Sequence, residues 1–329
     1  MEHKAYIDSL RGFAIFVVVI GHCCEFGLGH NNTLFNYMYY SFHMPLFMFI
    51  SGLVAFHRPD YKFILFVKSK ACRLLIPFFV VGGLSCLARN IGISDFLLDF
   101  AKKGYWFLPV LFFIMLLMFP AYILSRKFNV KNCLWKDLAL YFIPLVFSVA
   151  CYKVLPVSFN NLLSIKYIVK LYPFVLMGML TSKYASIDKI MNKDWVKCLL
   201  LIFSGILFAF IYRVNGAISI VGYFLVPVIY LLFKNSKKLG TAKCFSKMGG
   251  QTLQIYVLHY FMIPSIRSIA NFIDNQQVFF INNHNFLLYA FISIIIASMV
   301  IICTLSVVKI IELSPVLNFI LFGINPKGK

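Results

Sequence analysis

Charge is scarce along this 329-residue chain. Only 13 % of its residues are charged, where a soluble domain carries about 25 %. That scarcity excludes an ordinary soluble domain, and the 61 % of hydrophobic residues mark a polytopic membrane protein. The nine cysteines include no CxxC pair and no metal-ligand spacing. They scatter mostly through apolar runs, which excludes a disulfide scaffold and a zinc framework, so no metal is expected. The basic, apolar N-terminus lacks a small-residue cleavage site, and Arg11 opens directly into the apolar run. It therefore reads as a retained first helix and not as a removed signal. There is no internal repeat, no low-complexity linker and no separate soluble segment, so residues 1–329 are expected to form one integral membrane domain.

What the chain does contain is helix-length apolar runs. The expected fold is an all-α, polytopic transmembrane bundle of about ten spans: 10–29, 36–56, 74–91, 105–125, 138–152, 167–182, 197–213, 216–233, 251–270 and 287–311. Several runs, the fifth and sixth among them, are shorter than the ~20 residues needed to cross a bilayer. The net charge of +20 points to nucleic acid only if the cations are pooled. They lie in short clusters between apolar runs, as the positive-inside rule requires. With the N-terminus inside, 23 of the 31 Lys and Arg fall on the cytoplasmic side, which places both termini in the cytoplasm.

The first span carries the sharpest pattern. In LRGFAIFVVVIGH, Arg11 precedes an uncharged run that ends at His22. Eleven helical steps return to within ~20° of the start, so the two share a face about 16 Å apart along the axis. Ionisable groups at that depth line a cavity or pathway; the plainer reading is a flanking Arg and a packed core histidine. Glu25 follows three residues later, either to orient the imidazole or simply to mark the outer end of the helix. Span two contains SFHMPLFMFISG, Ser41–Gly52. His43 lies about as far below its outer end as His22 does, roughly 10 Å at 1.5 Å per residue. Pro45 is expected to kink or open span two beside His43.

Farther on, residues 57–73 carry five cations, with Lys70 and Arg73 on one side of an interfacial helix. They serve either as a positive-inside loop at an anionic leaflet or as a phosphate-binding edge. Tyr105 and Trp106 open span four, as an aromatic belt or as a platform for a sugar ring. Tyr172-Pro173 and Gly178 mark a flexible sixth span. In GGQTLQIYVLHYF, Thr252, Tyr256 and His259 form one polar stripe, which in an apolar helix points inward. His259 is expected about a third of the way in from the cytoplasmic side.

Four stretches taken together, YIDSLRGFAIFVVVIGH (6–22), FHMPLFMFISG (42–52), KACRLLIPF (70–78) and GGQTLQIYVLH (249–259), resemble the acyltransferase-3 family of bacterial integral membrane acyltransferases, and most its fucose 4-O-acetylase-like branch. The resemblance covers the whole chain. It implies a multi-pass protein of the bacterial inner (cytoplasmic) membrane that moves an acyl group, usually acetyl from acetyl-CoA, onto a hydroxyl of a cell-envelope glycan or lipid-linked sugar. Acetyl-CoA is then a co-substrate, with no bound cofactor and no nucleic acid partner. Carried over by position, Arg11 and His22 match the family's Arg-x10-His pair. Lys70 and Arg73 match its Arg-x-x-Arg, with Lys departing in the first place, so that a planar fork is missing there. No fused hydrolase-like domain is expected to receive the acyl group.

The site implied places His22 as base, with Glu25 as orienter and Arg11 beside them, because a sugar hydroxyl is a poor nucleophile at neutral pH. A transient acyl-His22 is the covalent alternative. Arg11, Lys70 and Arg73 hold the donor phosphates. His43, Ser41, Trp106, Tyr256 and His259 line the pore and acceptor side. The other function class is a glycolipid or polysaccharide transporter or flippase with the same histidines as proton relays, and the absence of an inverted repeat weighs against it.

Overall fold

The computed structural model describes residues 5–29, 34–55, 62–127, 133–213, 218–266, 268 and 286–324. Part of the basic 57–73 loop, the segment 271–285 expected on the outer side and the cations Lys327 and Lys329 lie outside the described residues. Within them every regular element is helical. The helices are α1 Ala5–His22, α2 Leu34–Leu53, α3 Phe63–Ala88, α4 Ile93–Leu98, α5 Phe107–Lys127, α6 Leu134–Val154, α7 Val157–Leu163 and α8 Ile165–Lys183. They continue as α9 Ala185–Met191, α10 Asp194–Arg213, α11 Gly222–Asn235, α12 Lys237–Gly240, α13 Lys243–Gly250, α14 Thr252–Met262, α15 Phe286–Glu312 and α16 Pro315–Phe322. No disulfide joins any of the nine cysteines.

Each of the ten apolar runs holds a helix, but they are not equivalent. Among the described residues six helices can cross a membrane by length and composition, or up to eight if two bent pairs, broken by 45° and 89°, each count as one span. The remaining two runs of the ten are α2 and α14. α14 has only 11 residues, because Ile263 precedes Pro264 and turns extended, with φ −73° and ψ 115°. α2 dilutes its apolar residues with Asn36, three tyrosines, Ser41 and His43.

Two further expectations change. The basic loop and third span are one continuous helix, α3, of 26 residues, so Lys70 and Arg73 sit mid-helix; nothing between 63 and 76 breaks the turn. α2 passes through Pro45 as one helix, without the opening expected beside His43. The carbonyl that Pro45 deprives of a partner is that of Ser41, four residues back. It faces Gly222 so closely that a Cβ there would stand 2.8 Å away. The basic stretch 237–250 is also helical, and α13 packs along α1.

The described chain divides into two compact units, Met1–Ile50 with Asp188–Lys309, and Ser51–Ile187 with Ile310–Lys329. In the first unit α1 is the axis: Leu10, Ala14, Ile15 and Val19 are fully buried. The α1–α13 contact is backbone on backbone. A Cβ on Gly12 would lie 1.8 Å from the Phe245 carbonyl oxygen, and one on Gly249 would lie 1.9 Å from that of Asp8. Membrane helices lack a hydrophobic drive between them, and such small-residue seams supply close dispersion contact instead. Ser9 Oγ adds a hydrogen bond to the Gly240 carbonyl at 3.0 Å. At the end of α11, Asp188 is held by Lys234 and, at 3.0 Å, by the Tyr230 hydroxyl.

In the second unit α3 packs on α5 and α16, and α6 on α5 and α8. Asp137, fully buried, accepts from Ser125, Lys183 and Tyr184, so its charge is paired and hydrogen-bonded as burial demands. A second buried charge, Lys102, lies in the loop before α5. Its Nζ donates to the carbonyls of Leu97, Asp99 and Asn161, the last two at 2.9 and 2.6 Å. Burial lowers the pKa of this ammonium to about 8. These contacts, with the Asp99 carboxylate accepting from the amides of Ala101 and Lys103, hold Lys102 and Lys103 left-handed at φ 47° and 49°.

Candidate active site

α1 is regular from Ala5 to His22, so Arg11 and His22 stand on one unbroken helix and keep a common face. Beyond His22 the helix widens into a π turn, Cys23–Gly27, closed by Leu28 N donating to the Cys23 carbonyl at 3.0 Å. Such turns are rare and recur at functional sites. This one gathers His22, Glu25 and Phe26. The His22 ring stacks on Phe26 with centroids 5.4 Å apart, and its Nδ1 faces Glu25 Oε2 at 3.9 Å. The carboxylate also accepts a short hydrogen bond from the Tyr40 hydroxyl of α2. His22 and Glu25 are 16 % and 24 % exposed, buried enough to be held and open enough to be reached.

The other face of His22 belongs to α14. Tyr260 Oη lies 3.0 Å from His22 Nε2, and the Tyr260 ring is 4.9 Å from the imidazole. Nδ1 is buried without a hydrogen-bond partner among the described residues; in the tautomer that carries the ring proton on Nδ1, Nε2 accepts from the phenol. His259 stacks on His22 at 5.3 Å and 26°. Its Nδ1 is 3.0 Å from the Ile255 carbonyl, so that nitrogen donates and Nε2 is left as an acceptor, fully buried and without a hydrogen-bond partner. His259 therefore shares the level of His22, instead of lying about a third of the way in from the cytoplasmic side as expected. It lies three residues from the end of α14, and beyond that end Ile266 N donates to the Gly27 carbonyl at 2.9 Å, tying α14 to the π turn.

His43 extends the cluster through Tyr40, its ring 5.3 Å from that of Tyr40 and 5.6 Å from that of Tyr39. His43 Nδ1 lies 2.7 Å from the Tyr39 carbonyl, while the Tyr39 hydroxyl donates to the Gly21 carbonyl at 3.2 Å. The remaining sequence candidates divide. Tyr256 is buried on α14 with its ring 6.1 Å from His259. Ser41 turns its hydroxyl back onto the Met38 carbonyl at 2.6 Å. Arg11 pairs with Asp8 Oδ1 at 3.3 Å one turn earlier on α1. Lys70, Arg73 and Trp106 belong to the second unit. Lys70 lies over the Phe66 ring, Arg73 is exposed, and Trp106 stacks on Tyr167 at 4.0 Å.

Sequence reasoning passed over Asp8, Tyr40 and Tyr260. Tyr40 lies three residues before His43, a helical neighbour that the spacing alone reveals. Tyr260 was hidden because adjacent helical residues point ~100° apart, which takes it off the Tyr256–His259 stripe. The π turn has no sequence signal. Among the described residues no group of three or more His, Cys, Asp or Glu is placed to hold a metal ion.

A family described as an acyltransferase domain matches residues 4–307. The nodulation protein NolL of Sinorhizobium fredii is 28 % identical over 188 residues, covering 53 % of this chain and 47 % of that protein. The chain thus spans about half the length of the curated relative it matches. No solved structure matches.

Proposed function

Because the chain belongs to the acyltransferase-3 family of membrane acyltransferases, we propose that it transfers an acetyl group from acetyl-CoA to a hydroxyl of a cell-envelope glycan or lipid-linked sugar at the bacterial inner membrane. The observation that carries this reading is the Glu25–His22 pair, with an O–H group already seated on His22 Nε2. It is the arrangement a general base needs: one ring nitrogen faces a carboxylate, and the other meets a hydroxyl, which it accepts from when the ring proton is on Nδ1. An incoming sugar hydroxyl takes the place of the Tyr260 phenol on Nε2 and loses its proton as it attacks the thioester carbonyl. Glu25, fixed by Tyr40, steadies the imidazolium that forms. Lys70 and Arg73 are assigned to the donor phosphates, as charge-assisted donors suited to them. His43 and Tyr256 are assigned to the acceptor side.

The test is direct. Purified protein in nanodiscs is given radiolabelled acetyl-CoA and a panel of glycan and lipid-linked acceptors. Acceptor-dependent release of CoA with label on the acceptor is expected. Movement of a labelled glycolipid across the bilayer without CoA release would instead make the protein a flippase.

A further inference from the structure

We infer that Tyr260 is a catalytic residue, supplying the hydrogen bond that stabilises the oxyanion of the acyl-transfer transition state. The inference rests on the acyl-transfer reading above and identifies the group that reading still lacks. A thioester carbonyl under attack becomes an oxyanion, and a buried site must meet it with an N–H or O–H.

Around His22 the described polar side chains divide sharply. Glu25, ionised, only accepts. The Tyr40 hydroxyl is spent on Glu25. The Nδ1–H of His259 is directed to the Ile255 carbonyl and that of His43 to the Tyr39 carbonyl. His259 Nε2 is an acceptor and has nothing to give. The Tyr260 hydroxyl lies 3.0 Å from His22 Nε2, and with that nitrogen unprotonated, as a base requires, it is the donor of the pair.

The ring is also held where it is needed. It is nearly buried, and the rings of His259, His22 and Phe26 surround it with centroids at 4.2, 4.9 and 5.8 Å. A donor clamped in this way costs little to reorganise at the moment of reaction. When the sugar hydroxyl takes the Nε2 lone pair, the phenol is displaced by about one hydrogen-bond length. The attacking oxygen and the carbonyl oxygen are bound to the same tetrahedral carbon, so a donor beside the first is within reach of the second.

The step balances. The sugar oxygen forms a bond to the carbonyl carbon, its proton passes to His22 Nε2, and the carbonyl π pair moves onto oxygen under the Tyr260 O–H. As that pair returns, the C–S bond breaks and the leaving thiolate takes the proton from Nε2. The products are the O-acyl ester and the free thiol, and Tyr260 keeps its proton throughout.

The experiment compares wild-type protein and Tyr260→Phe in nanodiscs, with kcat and both KM values measured. Loss of one oxyanion donor costs about 10²–10³ in kcat, so a fall of that size is expected with both KM values within a few-fold of wild type. A near wild-type kcat, or a loss confined to the acceptor KM, overturns the assignment. Should Tyr260→Phe fail to fold, a fluorotyrosine inserted at position 260 keeps the ring and hydroxyl but makes the phenol more acidic. Its kcat is then expected to fall away at lower pH than that of wild type, as the donor proton is lost. An unmoved alkaline limb overturns the assignment. Wild-type protein that shows no acceptor-dependent CoA release removes the reaction itself and this role with it, whereas active wild type with fully active Tyr260→Phe removes only the role.

Discussion

Glu25 Oε2 stands 3.9 Å from His22 Nδ1, too far for a hydrogen bond and close enough for an ion pair. The gap suits a base at rest. While His22 is neutral the carboxylate is engaged by Tyr40, and when the ring takes a proton the pair gains charge-assisted attraction.

His22→Gln keeps the size of the side chain and a hydrogen-bonding group but cannot take a proton at neutral pH. A general base contributes roughly 10²–10⁴ in rate. His22→Gln and His22→Ala are therefore expected to lose at least a hundredfold in kcat, with membrane insertion and acetyl-CoA binding retained. Transfer by His22→Gln at near wild-type rate makes His22 a packing residue and moves the search for the base to His43 or His259.

Tyr40→Phe removes one oxygen and no packing. Glu25 loses its hydrogen bond from Tyr40 and its fixed orientation toward His22. Hydrogen bonds to charged groups are worth about 1.5–3 kcal/mol, of which the part that fixes orientation appears in the rate. A fall in kcat of about tenfold is expected, with acetyl-CoA affinity unchanged. An unaltered kcat means that Glu25 does not act through His22.

The first span shows what a sequence can and cannot reveal. Arg11, His22 and Glu25 stand out because a charged or titratable group in an apolar helix is rare, and helical spacing then fixes their neighbours. The π turn at Cys23–Gly27 is invisible because its five residues carry no distinctive type. The level of His259 is not legible because residues 251–270 read as one twenty-residue span, whereas α14 ends at Met262, two residues before Pro264. Asp8 went unnoticed as the partner of Arg11, although it lies one turn away on the same helix. Tyr260 was missed because its tie to His22 joins residues 238 apart and depends on how α14 meets α1.

The seam between α1 and α13 gives a test of packing that is independent of catalysis. Gly12→Ala puts a methyl group where the Phe245 carbonyl oxygen stands, 1.8 Å from the ideal Cβ. Overpacking of a close-packed contact costs typically ~1–3 kcal/mol, and backbone cannot yield as a side chain does. A clear drop in Tm is expected. Gly205→Ala on α10 meets nothing within 4 Å, and Ala is favoured over Gly in a helix by up to ~1 kcal/mol, so its Tm is expected to hold or rise. Equal behaviour of the two variants would dissolve the seam.

Lys102 gives a pH signature in the second unit. Burial lowers its pKa to about 8 from an ordinary 10.5. Between those values the unfolded chain binds a proton that the folded chain does not, so folding stability rises with pH across the window. Below pH 8 both states are charged and the term is constant. Lys102→Met leaves three carbonyls without their donor and is expected to destabilise the fold by on the order of 3 kcal/mol. It also abolishes that rise, as thermal unfolding between pH 7 and 10 will show. A variant as stable as wild type means that the loop needs no ammonium.

Arg73 tests the donor. It is exposed on α3, three residues beyond Lys70 on the same side of the helix, and α16 packs along that helix. If Arg73 grips a CoA phosphate, its charge-assisted hydrogen bonds are worth roughly 1.5–3 kcal/mol. Arg73→Ala then weakens acetyl-CoA binding about ten- to a hundredfold. Arg73→Lys keeps the charge but loses the planar fork, and is expected to fall between the two. Raising ionic strength is expected to weaken wild type more than Arg73→Ala, because an exposed pair is screened by salt. The fold is expected to survive, since the side chain is not part of the core. Acetyl-CoA affinity that is the same in all three proteins, at low and high salt, leaves Arg73 as a topology signal and sends the search for the phosphate site elsewhere on the chain.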